Sequence, residues 1–276
     1  NFIPPQDEGR LRAAASGVLP NGKAVVVNAD GTVSVPVSAD QSIGSAVQFD
    51  SNEVQLNVST FDSNTNRIII AYRDRDNSNY GTAIVGTVSG SSISFGTKVV
   101  FDSNSWISEI SISFDTANNK VVIAYAVDNL RGSAIVGTVD SSDNSISFGS
   151  AAIFENAHTN YTSVCFDSNA GKIVIAYQDA GNSNYGKAVV ATVSGTSISF
   201  GSVVQFEAAD SSFINAVYDS NAQKIVLAYT DGGNSDAVTA IVGTVSGTSI
   251  SFGTAVSVGD AGGSVSAVFD STNNKV

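Results

Sequence analysis

Side chains that commonly carry enzymatic chemistry are scarce in this chain, which holds one histidine, His158, and one cysteine, Cys165. A nucleophile needs a base within hydrogen-bond reach, itself oriented by a third group. One imidazole and one thiol in different structural roles supply no such pair. A single His gives no His-rich metal site, and a single Cys gives no intrachain disulfide. No Gly-x-x-x-x-Gly-Lys phosphate loop is present. Asp74-Arg-Asp76-Asn-Ser-Asn79 begins like a calcium loop. It lacks the later Glu, however, and its counterparts at Asp128 and Asp179-Ala-Gly lose the alternating oxygen ligands. Neither a metal nor a cofactor is expected, and the chain reads as non-enzymatic. The 25 Asp plus Glu nonetheless leave open a carboxylate pair of the kind glycosidases use. The absence of a Ser-x-Asp-x-Gly-x-x-Trp box counts against a sialidase.

Residues suited to binding are easier to name: Trp106, His158, Tyr161 and Phe213, with Arg73, Tyr80 and Arg131 in neighbouring loops. Aromatic faces with Asn and Asp nearby suit a sugar, whose C–H faces stack and whose hydroxyls hydrogen-bond. The alternative role for Tyr161 and Phe213 is to plug gaps between structural units. Cys165 alternates with Val164 and Phe166 and reads as a small packed residue, since no electropositive, accessible setting activates it.

What positions these residues is a repeat of about 52 residues. Phe-Asp-Ser-Asn, then a basic residue and Ile-Val-Ile-Ala-Tyr, recurs with Tyr at 72, 125, 177 and 229. A second register, Phe or Ile before Gly, falls at Ile43, Phe95, Phe148, Phe200 and Phe252. Both give spacings of 52 or 53. Each unit reads as four short strands. In Tyr161-Thr-Ser-Val-Cys-Phe166 the side chains alternate between two faces. An Asp-Ser-Asn turn follows, whose residues tolerate left-handed backbone and bond their own main chain. Lys172-Ile-Val-Ile-Ala-Tyr177 is a β-branched run that predicts burial on both faces. Lys187 to Val193 forms a third strand and Ser197 to Phe206 a fourth. Four strands per unit with no helix between predict an all-β fold, a β-propeller of four-stranded blades. All four prolines, Pro4, Pro5, Pro20 and Pro36, precede the regular repeats, as a chain of paired strands requires.

Outer strands at Lys23 to Val35 and Ile43 to Phe49, four full blades from Val54 to about Val258, and inner strands from Val265 make at least five blades. Sharing one blade between the two ends of the chain removes exposed sheet edges. The cut-off final strand and the lack of Met point to a piece of a longer chain. Residues 1–20, with Pro4-Pro5 and no strand pattern, read as an extended docking arm, and 21–276 as the propeller.

Blade topology puts the first-to-second and third-to-fourth turns on one rim and the other two connections on the opposite rim. The turns at Asp62, Asp115, Asp167, Asp219 and Asp270 are stereotyped, whereas the opposite loops diverge and carry all seven binding candidates. A rigid scaffold with one variable rim is a common way to display binding loops. The acidic position after the fourth strand (Asp50, Asp102, Glu155, Glu207) recurs as well and is a candidate for lining that face.

Composition agrees. Charged residues are 14%, against roughly 25% in an average chain, because Ser, Thr and Asn fill outward strand positions. A net charge of −12 argues against nucleic acid, which needs clustered positive charge. No apolar run reaches the ~18 residues of a membrane span.

The unit from Phe166-Asp-Ser-Asn through Lys172-Ile-Val-Ile-Ala-Tyr to Thr192-Val-Ser-Gly-Thr-Ser-Ile-Ser-Phe-Gly201 resembles repeats in tail-fibre and virion structural proteins of marine tailed phages. Leu19-Pro-Asn-Gly-Lys to Val33 is similar to the segment preceding those repeats. The resemblance implies an extracellular virion appendage, assembled as a homo-oligomer. Its arm would dock to other virion proteins and its variable rim would meet a host-surface glycan or protein. A purely structural virion spacer is one alternative, and a secreted lectin or glycoside hydrolase another.

Overall fold

The computed structural model describes residues 14–15, 18–19, 25–35, 44–103, 106–127 and 131–276. Most of the proposed docking arm, all four prolines and Asp128 lie outside them. The chain divides into two compact units, Asn1–Gly44 and Ser45–Val276.

In the first unit Val26–Val27 pairs with Val33–Ser34 in a small antiparallel hairpin. One continuous outer strand was expected here. The chain turns back because Gly31 takes φ 81° and Asp30 Oδ1 accepts the Thr32 N–H, a local turn that competes with strand pairing.

The second unit is built from antiparallel four-stranded blades. In the first, Val54–Asp62 pairs with Arg67–Asp74, which pairs with Tyr80–Ser89. Three more blades follow the same order, at residues 107–155, 159–209 and 210–261. Val204–Asp219 runs unbroken from the outer edge of the third blade into the inner strand of the fourth. The second strands are buried on both faces, as in Lys120–Val127 and Lys172–Asp179.

The expected fourth strand is two short ones. In the third blade Ser197–Phe200 and the start of Val204–Asp219 both pair with Tyr185–Ser194. The break sits at the Gly of the Phe-Gly register. A Cβ at Gly96, Gly149 or Gly201 would lie 2.1, 2.0 or 1.8 Å from a carbonyl oxygen of Asn144, Thr196 or Thr248 in the next blade. Glycine is required at this spot because backbone meets backbone across the seam.

Each seam repeats one packing scheme. Phe101, Phe154 and Phe206 lie over Gly81, Gly132 and Gly186 of their own blades, where a Cβ would come within 2.5 Å of the ring. Each of these rings meets the next blade's Tyr edge-on or tilted, with centroids 5.1–5.3 Å apart for Phe101–Tyr125, Phe154–Tyr177 and Phe206–Tyr229. Among the described residues the apolar core forms three clusters, one per seam, and each draws on two adjacent blades. Val164 and Phe166 face the second blade and Cys165 the fourth. Burial pushes the Cys165 thiol up to about 12, which leaves it a packed, unreactive residue.

Inner strands have one edge without a strand partner, and its N–H groups need acceptors. Neighbouring blades supply them: Val164 N–H donates to Ser111 Oγ (3.0 Å), Ala216 N–H to Ser163 Oγ (2.9 Å), and Ala267 N–H to Asn215 Oδ1 (3.0 Å). Ser59, Ser111, Ser163, Asn215 and Ala267, one from each of five successive inner segments, line a common cavity of about 600 Å³. This cavity marks the axis around which the blades are set.

Candidate functional site

The stereotyped rim is built of turns. Asp62, Asp115, Asp167, Asp219 and Asp270 each accept two backbone N–H bonds within the following three residues. The residue closing each turn, such as Asn66, Asn119 or Gly171, takes positive φ. These carboxylates are occupied by the turns they hold.

The recurring acid after the fourth strand is also occupied, which corrects its reading as a binding-face residue. Tyr72, Tyr125, Tyr177 and Tyr229 donate their hydroxyls to Asp50, Asp102, Glu155 and Glu207, at 2.6, 2.9, 3.0 and 3.0 Å. Each bond ties a blade to the strand before it. Burial and the facing carboxylate push these phenols far above their ordinary value, so they remain donors. The signal was in the sequence: Tyr and acid recur with one period, 22 or 23 residues apart.

On the variable rim the candidates form two groups. The first spans the seam between the first and second blades. The Arg73 guanidinium lies 5.1 Å from the centroid of Trp106, which is 50% exposed. Arg73 Nη1 donates to the Ile107 carbonyl at 2.8 Å, and Nη2 to Gln55 Oε1. A guanidinium over the indole in this way is a cation–π contact, and half of Trp106 remains exposed.

The second group lies on the inner strands, toward the variable rim from the cavity-lining residues. The inner strands at 54–62, 107–115, 159–167 and 204–219 each carry a β-bulge toward the variable rim, and in the first, third and fourth it ends directly before a cavity-lining residue, Val58, Ser163 or Asn215. Leu56, Tyr161 and Phe213 occupy equivalent bulge positions with φ of 55°, 50° and 52°. Left-handed backbone is strained for bulky side chains. Tyr161 and Phe213 meet across adjacent blades with centroids 5.0 Å apart. Tyr161 packs on the core of that seam, and Phe213 is 36% exposed. The pair thus fills a gap between blades and also presents an aromatic edge beside the axis.

Sequence reasoning missed Glu109, which stands at the corresponding place in the second blade, where the bulge falls one residue earlier and Glu109 pairs with Ala126. Burial raises its carboxyl above the ordinary glutamate range, against the opposing influence of the Tyr161 backbone N–H. The clue was its place in the series Leu56, Glu109, Tyr161, Phe213, where it is the one titratable member. The other candidates stay apart from these groups. His158 is half-buried, and its carbonyl accepts the Ala180 N–H. Tyr80 and Arg131 begin the third strands of the first and second blades, and Arg131 stands near the Tyr125 hydroxyl. Among the described residues no group of three or more His, Cys, Asp or Glu side chains is placed to hold a metal.

No protein-family model matches the chain, nor does any curated protein sequence. Solved structures do match. The NanB sialidase from Streptococcus pneumoniae is 13% identical, with 63% of this chain and 27% of that one covered at a TM-score of 0.48. An exo-β-1,3-galactanase from Clostridium thermocellum is 10% identical, with 76% and 51% covered at 0.48. The Aleuria aurantia lectin, in complex with Fucα1-6GlcNAc, is 15% identical, with 74% and 62% covered at 0.46. The chain therefore spans from about a quarter to six-tenths of these proteins, and no residue role is carried over from them. They correct two expectations, a virion appendage and a protein without enzymatic activity. The similar structures are a sialidase, a galactanase and a lectin.

Proposed function

We propose that the variable rim binds carbohydrate around the axial mouth. The observation that carries this reading is the Tyr161–Phe213 pair, two aromatic rings held 5.0 Å apart on strained bulges of adjacent inner strands. Strained backbone persists where the surrounding structure over-determines it, often at ligand clamps. Aromatic faces stack on the C–H faces of a sugar ring. Trp106, braced by Arg73, gives a second exposed ring on the same rim. Asn160, Gln178, Asn184 and Asp210 form a hydrogen-bonded polar network at the seam of the third and fourth blades. Such groups exchange bonds readily with hydroxyls.

Glycan-array screening followed by calorimetric titration tests the reading. Trp106→Ala and Phe213→Ala should each weaken binding about tenfold or more, as loss of an aromatic anchor does. Equal binding by both variants and the parent protein would remove the rim from the site.

A second reading, hydrolysis of the bound glycan, has one observation in its favour. Glu109 is the carboxyl among the described residues that burial holds above its ordinary range, the state in which a carboxylic acid can protonate a leaving group. Reducing-sugar release from polysaccharide, abolished in Glu109→Gln, is the outcome that this reading requires.

A further inference from the structure

Strand register marks one equivalent position on each of four inner strands. Val58, Ser111, Ser163 and Asn215 pair with Ala71, Ala124, Ala176 and Ala228. All four line the axial cavity of about 600 Å³, a volume within the ~300–1,000 Å³ of ligand pockets. Ser111 Oγ, Ser163 Oγ and Asn215 Oδ1 accept the N–H groups of Val164, Ala216 and Ala267 at 3.0, 2.9 and 3.0 Å. Those bonds use an acceptor on each side chain and no donor. The two hydroxyl protons and the Asn215 amide protons therefore have no acceptor among the described residues. Ser163 is 6% exposed and borders the cavity.

Joining the blades needs only the acceptors, so the unused donors are what the cavity has to offer a ligand. In the first blade Val58 stands at this position and gives the Ile112 N–H no acceptor; both residues line the cavity. Besides Ser59, the remaining lining is apolar, with Val217, Val268 and Phe269 among it, and no charged side chain belongs to it. Donors gathered beside an uncharged, apolar wall suit a group that accepts without carrying charge, a carbonyl with an alkyl substituent. An anion would bring a charge that no cation in this lining offsets. A plain hydroxyl fits less well, because it adds a proton that needs an acceptor in turn.

Resting on the carbohydrate reading above, we propose that the axial cavity receives the acetamido group of an N-acetylated sugar. The acetamido carbonyl accepts from the Ser163 hydroxyl and the Asn215 amide, and its methyl group packs on the wall of Val217, Val268 and Phe269. The sugar ring stays toward the variable rim.

The test is calorimetric titration with oligosaccharides of N-acetylglucosamine and N-acetylgalactosamine, beside glucose and galactose oligosaccharides of the same length and linkage. At least one N-acetylated ligand should bind about tenfold or more tightly than its unacetylated counterpart, the gain from pairing the free donors. Asn215→Asp keeps the oxygen that accepts the Ala267 N–H and removes the amide donors, so it should weaken that binding about tenfold with the fold retained. Val268→Asp, at a wall residue 76% exposed, should weaken it as well, and it leaves the core untouched should Asn215→Asp fail to fold. Equal affinity for acetylated and unacetylated ligands would overturn the cavity site. So would unchanged affinity in Asn215→Asp and Val268→Asp with Phe213→Ala still impaired, an outcome that spares the rim. No binding by the parent protein to any glycan on the array would overturn the carbohydrate reading itself.

Discussion

The seam between the first and second blades and the seam between the second and third share a framework and differ at one end. Both place a Phe over a Gly, meet it with a Tyr, and bond that Tyr to an acid. Both need glycine where backbone crosses backbone. Toward the variable rim they part. The first seam closes with Ile107 and Ile110 near an Arg73–Trp106 pair, and the second places Thr159 and Thr162 in the equivalent positions. Positions common to both seams hold the blades together, and the exchanges at the rim end are where function is to be sought.

The largest effects should fall on the shared framework, equally in both seams. Gly96→Ala and Gly149→Ala force a Cβ to about 2 Å from a carbonyl oxygen of the next blade. Each should cost about 3 kcal/mol, the upper end for overpacking, measured as a lower denaturant midpoint. Gly253→Ala, whose nearest contact would be 3.7 Å away, should be close to neutral. A large loss at Gly253, or unequal losses at the other two, would break the idea of a common framework.

Removing one phenol hydroxyl comes next. Tyr125→Phe and Tyr177→Phe each leave a carboxylate, Asp102 or Glu155, without that donor. Losses of about 1.5–3 kcal/mol are expected for a bond to a charged acceptor, similar in the two seams.

At the rim end the seams should diverge. Arg73→Ala removes bonds to Gln55 and the Ile107 carbonyl and uncovers Trp106. It should destabilise by about 1 kcal/mol and shift the Trp106 emission toward longer wavelength.

The smallest effect is a pH dependence confined to the second seam. Burial raises the Glu109 carboxyl, so the folded chain holds that proton to higher pH than the unfolded chain does. The stability linked to it is present below the ordinary glutamate range and lost as pH rises through the raised value. Glu109→Gln should therefore match the parent in acid and exceed it near neutrality, by roughly 2–4 °C in Tm for each kcal/mol relieved. A parent protein that falls behind Glu109→Gln as pH rises would sharpen the contrast; parallel curves at all pH values would erase it.

The framework was legible in the sequence because it repeats. Tyr72, Tyr125, Tyr177 and Tyr229 and the Phe-Gly steps keep a 52- or 53-residue period, and only a recurring structural demand preserves residue types at fixed spacing. The roles behind the period were less visible. Asp102 and Glu155 looked available for a ligand until the Tyr hydroxyls of the next blade were found on them. The fourth strand was read whole because its own alternation is regular, whereas the break is imposed by a carbonyl some 50 residues onward in the next blade.

The site was half legible. Trp106, Tyr161 and Phe213 stood out as aromatics in variable loops, and Arg73 as a neighbouring cation, but nothing in the string paired Arg73 with Trp106 or Tyr161 with Phe213. Glu109 passed unnoticed, since one acid among 25 carries no mark in the sequence.

Alternation of side chains along a strand and the tolerance of Asp, Asn and Gly for turns are properties of a few consecutive residues, so the sequence by itself determined the first three strands of each blade, their order and the stereotyped rim. Which carboxyl is occupied, which hydroxyl is left without a partner and which rings touch depend on distances between blades. Those were decided by the tertiary structure, because a seam is made by residues about 50 positions apart whose burial and bonding exist only once two blades have packed.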